Sequence, residues 1–233
     1  MRRRATIIAA AVPAMLLGMQ VEKSEAGALF PAVTESQTAN ADAQTIDGIA
    51  ARIEDDVITE SEVNELAAFQ KLVDGSSKPR AQLIQELADQ WIVRGEAEAA
   101  KYPQPSQETV DAAYQQLVGQ FASAQEFKNR CTQVGLSDAA IRRLLIQQLY
   151  LSRFLDFRFR SAAQVSDEEI ENYYSKEFAP QLKSRGETVP PLESVQGTIR
   201  EVLVQREIAN RANEWLDETR ARLKIDVVPE DGR

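Results

Sequence analysis

Ile46-Asp47-Gly48-Ile49-Ala50-Ala51-Arg52-Ile53-Glu54-Asp55-Asp56-Val57-Ile58-Thr59-Glu60-Ser61-Glu62-Val63 changes its hydrophobic period midway. Ile49, Ala51 and Ile53 alternate with Gly48, Ala50 and Arg52, the period of a strand. Asp55-Asp56 supplies turn chemistry before Val57-Ile58. Thr59-x-x-Glu62 then reads as a capping box, and Val63, Leu66, Ala67 and Gln70 share one face of the helix it opens. Leu72-Val73 lies at the end of that helix, and Gly75-Ser76-Ser77 stops it. A two-stranded hairpin is marginal by itself in water. The other strand-like segment is Lys224–Val228, stopped by Pro229. Its natural partner is the hairpin. The chain is therefore expected to be mostly α, with a small β-sheet formed by an N-terminal hairpin and a C-terminal strand.

The segments between carry helical spacing. Pro79 suits a first turn, and Leu83, Ile84, Leu87, Trp91 and Ile92 form the stripe that follows. Pro103 and Pro105 break the chain, and Val110, Ala113, Tyr114, Leu117, Val118 and Phe121 line the next helix. Ser123-x-x-Glu126 reads as a second capping box, with Phe127, Cys131 and Val134 inward and Gly135 at the C-terminal end. Ser137 caps a long helix with Ile141, Leu144, Leu145, Gln148-Leu149, Ser152 and Leu155 as its stripe. Ser166-x-x-Glu169 caps another, expected to run to about Phe178. Pro180, Gly186 and Pro190-Pro191 mark a short irregular connection over 178–191. A last helix, from about Leu192 to Leu223, carries Val195, Ile199, Val202, Leu203, Ala209, Ala212 and Leu216.

Composition narrows the chemistry. There is no histidine, which removes Ser-His-Asp and Cys-His nucleophilic arrangements and the usual His-bearing zinc sites. Cys131 is the single cysteine, so no internal disulfide forms. The net charge of −9 repels nucleic acid and anionic lipid at long range, so nucleic acid is not an expected partner. Arg2, Arg3 and Arg4, the apolar stretch Ala5 to Met19 and the small-residue step Ala26-Gly27-Ala28 read as a cleavable export signal, 1–28. The apolar stretch is short for a membrane span and holds Pro13; a membrane association is expected only if the signal stays uncleaved. Cleavage after Ala28 removes four basic and two acidic residues and takes the charge to −11. Residues 29–45 read as a flexible leader, 46–228 as one domain and 229–233 as a tail.

The order of segments resembles the SurA-like chaperones, periplasmic proteins associated with prolyl isomerase activity. The opening strand with its Ala50-Ala51 centre, the polar turn and the Ser61-Glu62-Val63 helix start resemble the beginning of that family's chaperone domain. Val165-Ser166-Asp167-Glu168-Glu169-Ile170-Glu171-Asn172-Tyr173-Tyr174 resembles the helix that precedes the family's parvulin domain. Ile199 to Val228, with Trp215-Leu216 and Lys224-Ile225-Asp226-Val227-Val228, resembles the helix and strand that follow it. A parvulin domain needs on the order of 90–100 residues. Between Phe178 and Leu192 there are 13, so that domain is expected to be missing. The resemblance implies an ATP-independent, periplasmic or otherwise exported chaperone that binds unfolded or nascent exported proteins, such as outer-membrane protein precursors. The alternatives are a prolyl isomerase relative with residual activity and an accessory subunit of an envelope complex.

No cofactor is expected. The sequence has neither a Gly-x-x-x-x-Gly-Lys loop nor a Gly-x-Gly-x-x-Gly turn, so nucleotide is not expected to bind. Glu54-Asp55-Asp56 with Glu60 and Glu62 lacks calcium-loop spacing and reads as a turn leading into an acidic helix N-terminus. Cys131, on an apolar helix face, reads as a buried structural thiol. The most unusual stretch is Arg153-Phe154-Leu155-Asp156-Phe157-Arg158-Phe159-Arg160. Three phenylalanines at those positions cannot share one narrow helical stripe. Phe154, Phe157 and Phe159, with Tyr173, Tyr174 and Phe178, are the candidate client-binding residues. The competing expectation is that these aromatics pack the long helix against its neighbours.

Overall fold

The structure, a computed structural model, describes residues 47–229. The export signal and the leader read from the sequence lie outside the described residues, as does all of the tail beyond Pro229. The architecture is mostly helical with one small antiparallel sheet, as the sequence predicts.

Strands β1 (Ile49–Ile53) and β2 (Asp56–Thr59) form the hairpin. Ile53 pairs with Asp56, so the two-residue turn is Glu54-Asp55, one residue earlier than the sequence indicates. Glu54 takes φ +50°, a left-handed conformation unfavourable for a residue with a Cβ. Its partners in the last segment offset that cost: Glu54 N–H donates to the Lys224 carbonyl at 3.0 Å, and Lys224 N–H donates to Glu54 Oε1 at 2.7 Å. β3 (Ile225–Val227) lies antiparallel on the other side of β1, giving the order β2-β1-β3. Ala51 pairs with Val227, Arg52 with Asp226 and Ile53 with Ile225, and Val228 N–H donates to the Ala50 carbonyl at 2.9 Å. Ala50, expected on the outer face by alternation, is fully buried beside Ala51, because the β1–β2 register shifts between Ile49 and Ala51.

Helices α1 (Glu60–Asp74) and α2 (Arg80–Ala99) cover the sheet's inner face, where Ala51, Ile53 and Ile58 meet Val63, Leu66, Leu83, Ile84 and Ala88. The Thr59–Glu62 capping box closes in both directions. Pro79 is the N-cap of α2, one position before the first turn. A second core forms where the end of α1 meets α3 (Gln107–Val118), α4 (Ala124–Val134) and the first half of α5 (Asp138–Phe159). Leu72, Leu117, Phe127, Cys131 and Ile141 meet there, and burial pushes the Cys131 thiol up from its ordinary value. The box at Ser123 closes in one direction: Ser123 accepts Glu126 N–H, while the Glu126 carboxylate accepts Ala122 N–H at 3.0 Å.

The third core joins the second halves of α2 and α5 to the end of α8 (Leu192–Arg220) through Ile92, Val93, Ala97, Tyr150, Leu151, Phe154 and Leu216. The stripe expected on α5 holds at Ile141 and Leu145 and then turns: Leu151 and Phe154 are buried and Ser152 is exposed. Between α5 and α8 runs a 3-10 turn (Arg160–Ala162), then α6 (Asp167–Tyr173), a π-helical turn (Tyr174–Phe178) and α7 (Ala179–Ser184). The helix expected to stop near Phe178 therefore continues to Ser184. Pro180 lacks an N–H and its ring crowds the carbonyl one turn back. The wider π turn carries the chain past it, with Ala179 N–H donating to the Tyr174 carbonyl. Ile170 and Ile199, both fully buried, seat α6 on the first half of α8. On α8, Val202 is exposed and Ile208, absent from the expected stripe, is buried.

Candidate functional site

The six candidate aromatics occupy two places joined by α8. Phe154 is 2% exposed in the third core, its ring edge-on to Tyr102 with centroids 5.6 Å apart. It packs the fold and is withdrawn from any binding surface. One turn on, Phe157 faces outward at 66% exposure, the largest of any large apolar side chain among the described residues. Its ring lies 5.4 Å from Tyr102, whose hydroxyl donates to the Arg153 carbonyl at 3.2 Å. Tyr102 comes from the turn after α2, where Lys101 has φ +53°. The exposed Phe157 thus rests on an aromatic base built by three buried or half-buried rings, Tyr102, Tyr150 and Phe154.

Phe159 points to another side of α5. It is half-buried against Trp215 of α8, centroids 6.0 Å apart, and Arg158 stacks over the Trp215 ring at 4.8 Å. Arg158 also donates to Glu96 at 3.1 Å, so its charge is already engaged. At the far end of α8, Tyr174 and Phe178 stack at 5.9 Å across the π turn. The Tyr174 hydroxyl donates to the Pro190 carbonyl at 2.7 Å, tying that turn to the loop before α8. Tyr173 is half-buried under Arg206, 4.7 Å from the ring centre.

Opposite-sign pairs link α5, α6 and the π turn to α8. Arg160 bridges Asp156 and Glu201, with contacts of 2.7 and 2.8 Å, and Gln205 donates to both carboxylates. Arg160 hydrogen bonds hold the Asp156 and Glu201 carboxyls below their ordinary values, and they raise Arg160 in turn. Arg206 does the same to Glu177, in a two-pronged contact of 2.9 and 3.2 Å. Arg200 joins Asp167 at 2.6 Å and the Val165 carbonyl at 3.0 Å. Two aromatic contacts stand apart from these pairs: Phe157 with Tyr102 beside the end of α2, and Tyr174 with Phe178 on the π turn.

Among the described residues no group of three His, Cys, Asp or Glu side chains is placed to hold a metal, and no helix is long and apolar enough to cross a membrane. Sequence reasoning missed Tyr102, which the turn after α2 delivers, and the role of Trp215 as the platform for Phe159 and Arg158. It also missed two buried acids on α2, Glu86 and Asp89. Their signal was present: Leu83, Glu86, Asp89 and Val93 share one helical face. No protein-family model matches the chain, and no curated protein matches it.

Proposed function

We propose that the chain is an ATP-independent, exported chaperone that holds unfolded polypeptides through apolar contact, a SurA-like domain without its isomerase insert. The observation that carries this reading is Phe157, a large apolar ring that is 66% exposed and braced from below by Tyr102. An isolated exposed side chain is ordinary, but a ring braced from below offers contact area at low entropic cost. The order of segments adds to it. The hairpin, the Ser166-capped helix and the closing helix-strand pair stand in the same succession as in the SurA-like chaperones, and 13 residues stand between Phe178 and Leu192 where those proteins carry an isomerase. The export signal read from the sequence at 1–28 adds to the expectation that such clients are exported proteins.

Dilution of a denatured β-barrel protein into buffer, followed by light scattering, tests this. With the protein in several-fold molar excess and no nucleotide, aggregation is expected to fall. Moderate salt is expected to change the protection little, because apolar attraction is not screened as charge attraction is. Undiminished aggregation across several clients would overturn the proposal and favour a dedicated subunit with one folded partner.

A further inference from the structure

The last described segment, β3 and the turn before it, buries little apolar surface. β3 is three residues long, Val227 is 53% exposed although its pair Ala51 is fully buried, and Leu223 and Ile225 are half-buried over the first core. Segments with few buried apolar contacts open below the global unfolding free energy. One buried contact between charged groups joins this segment to the body from within. Arg220, in the last turn of α8, reaches Asp89 on α2 across 131 residues of sequence. Its Nη1 lies 3.2 Å from Asp89 Oδ1 and 3.3 Å from Oδ2. The longer contact alone has hydrogen-bond geometry, so Oδ1 is buried without a hydrogen bond. The second terminal nitrogen, Nη2, is committed to Asp217.

The charged groups facing Asp89 are Glu86 on its own helix, and Arg220 and Asp217 on α8. Two of the three are therefore acids. Gln70 and Lys78, from α1 and the turn after it, are engaged with Glu86. α5 meets α2 through the neutral Gln147–Gln90 contact, and the sheet meets it through Trp91 N–H donating to Asp56. A carboxylate buried this way, beside two other acids and sharing its guanidinium with one of them, binds a proton more tightly than one in water. Undocking the end of α8 would return Asp89 to solvent and to ordinary acidity.

We propose that Asp89 and Arg220 form a proton-operated latch on the closing segment, the last turn of α8 with β3: proton uptake by Asp89 tightens the segment and proton loss loosens it. Burial is the largest influence on Asp89, opposed by Arg220 and reinforced by Asp217 and Glu86, and together they push its carboxyl up to about 6 from an ordinary 3.8. The stabilisation is therefore complete below the ordinary value and is lost as the pH rises through about 6. The inference rests on the fold and is independent of the chaperone reading.

Native-state hydrogen exchange on the full chain reads the latch. The Glu54 and Val228 amides, whose bonds end on Lys224 and Ala50, report the closing segment; the Leu136 amide, bonded to Cys131 in the second core, is the reference. After correction for intrinsic exchange, protection of Glu54 and Val228 relative to Leu136 is expected to be about tenfold higher near pH ~5 than near pH ~7.5, the change that linkage gives for such a shift. In Asp89→Asn the difference is expected to vanish. An equal rise in that variant, or no rise in the wild type, would overturn the latch. If Asp89→Asn does not fold, a carboxyl-carbon titration of Asp89 in the wild type decides. A midpoint near 6 supports the latch, and one at the ordinary value of 3.8 overturns it.

Discussion

Phe154 and Phe157 stand three positions apart and answer to different forces. Phe154 fills the third core among Ile92, Tyr150, Leu151 and Leu216, so Phe154→Ala leaves a cavity as well as losing transfer energy. It is expected to cost about 3–5 kcal/mol, read from the urea midpoint at constant m-value. Phe157 is solvated on its outer side, and Phe157→Ser is expected to stay within about 1 kcal/mol of wild type. On the chaperone reading that same substitution weakens protection of a denatured client while circular dichroism stays unchanged. Equal and large destabilisation by both substitutions would mean that both rings are core. The sequence made the conflict at 153–160 visible, since three phenylalanines exceeded one stripe. It did not say which ring turns inward, because α5 changes the face it buries as it passes from the second core to the third.

The elements most legible in the sequence are those fixed by local chemistry. Thr59 and Ser166 each close a full capping box, in which the side chain and the Glu three residues on satisfy two otherwise orphaned N–H groups. Thr59→Ala and Ser166→Ala are each expected to cost about 1 kcal/mol in denaturant unfolding. A loss too small to measure at both sites would mean that water replaces the caps without penalty. The closing strand was also legible, because a hairpin lacking a third strand has no stable edge. Elements set by tertiary context were less so. The π turn at Tyr174–Phe178 answers to Pro180 and to the Pro190 carbonyl held by Tyr174, neither of which leaves a periodic trace. Glu86 and Asp89 lay on an apolar face in plain view, but their partners Lys78, Gln70 and Arg220 come from elsewhere in the chain.

At the scale of the molecule, α5 and α8 integrate the fold. α5 threads two cores, and α8, about 43 Å long at 1.5 Å per residue, carries the chain from the α6 seam back to the sheet. Deleting residues 192–233 removes Ile199, Ile208 and Leu216, each buried, and uncovers Leu151, Phe154 and Ile170. At ~1.5–3 kcal/mol per large buried side chain, the loss is comparable to a typical net stability of ~5–15 kcal/mol. The truncated chain is therefore expected to lose cooperative thermal unfolding; retention of the wild-type midpoint would contradict the closed architecture. The same closure presents Phe157 on a braced base, so fold and proposed binding stand on the same helices. The most direct measurement of that binding is a fluorescence-anisotropy titration of a permanently unfolded, labelled polypeptide with the full protein, without nucleotide, at low and at moderate salt. The account predicts a dissociation constant of roughly micromolar, about −8 kcal/mol, changed little by salt and weakened by Phe157→Ser. No binding at a hundredfold higher concentration, or binding that salt abolishes, would contradict it.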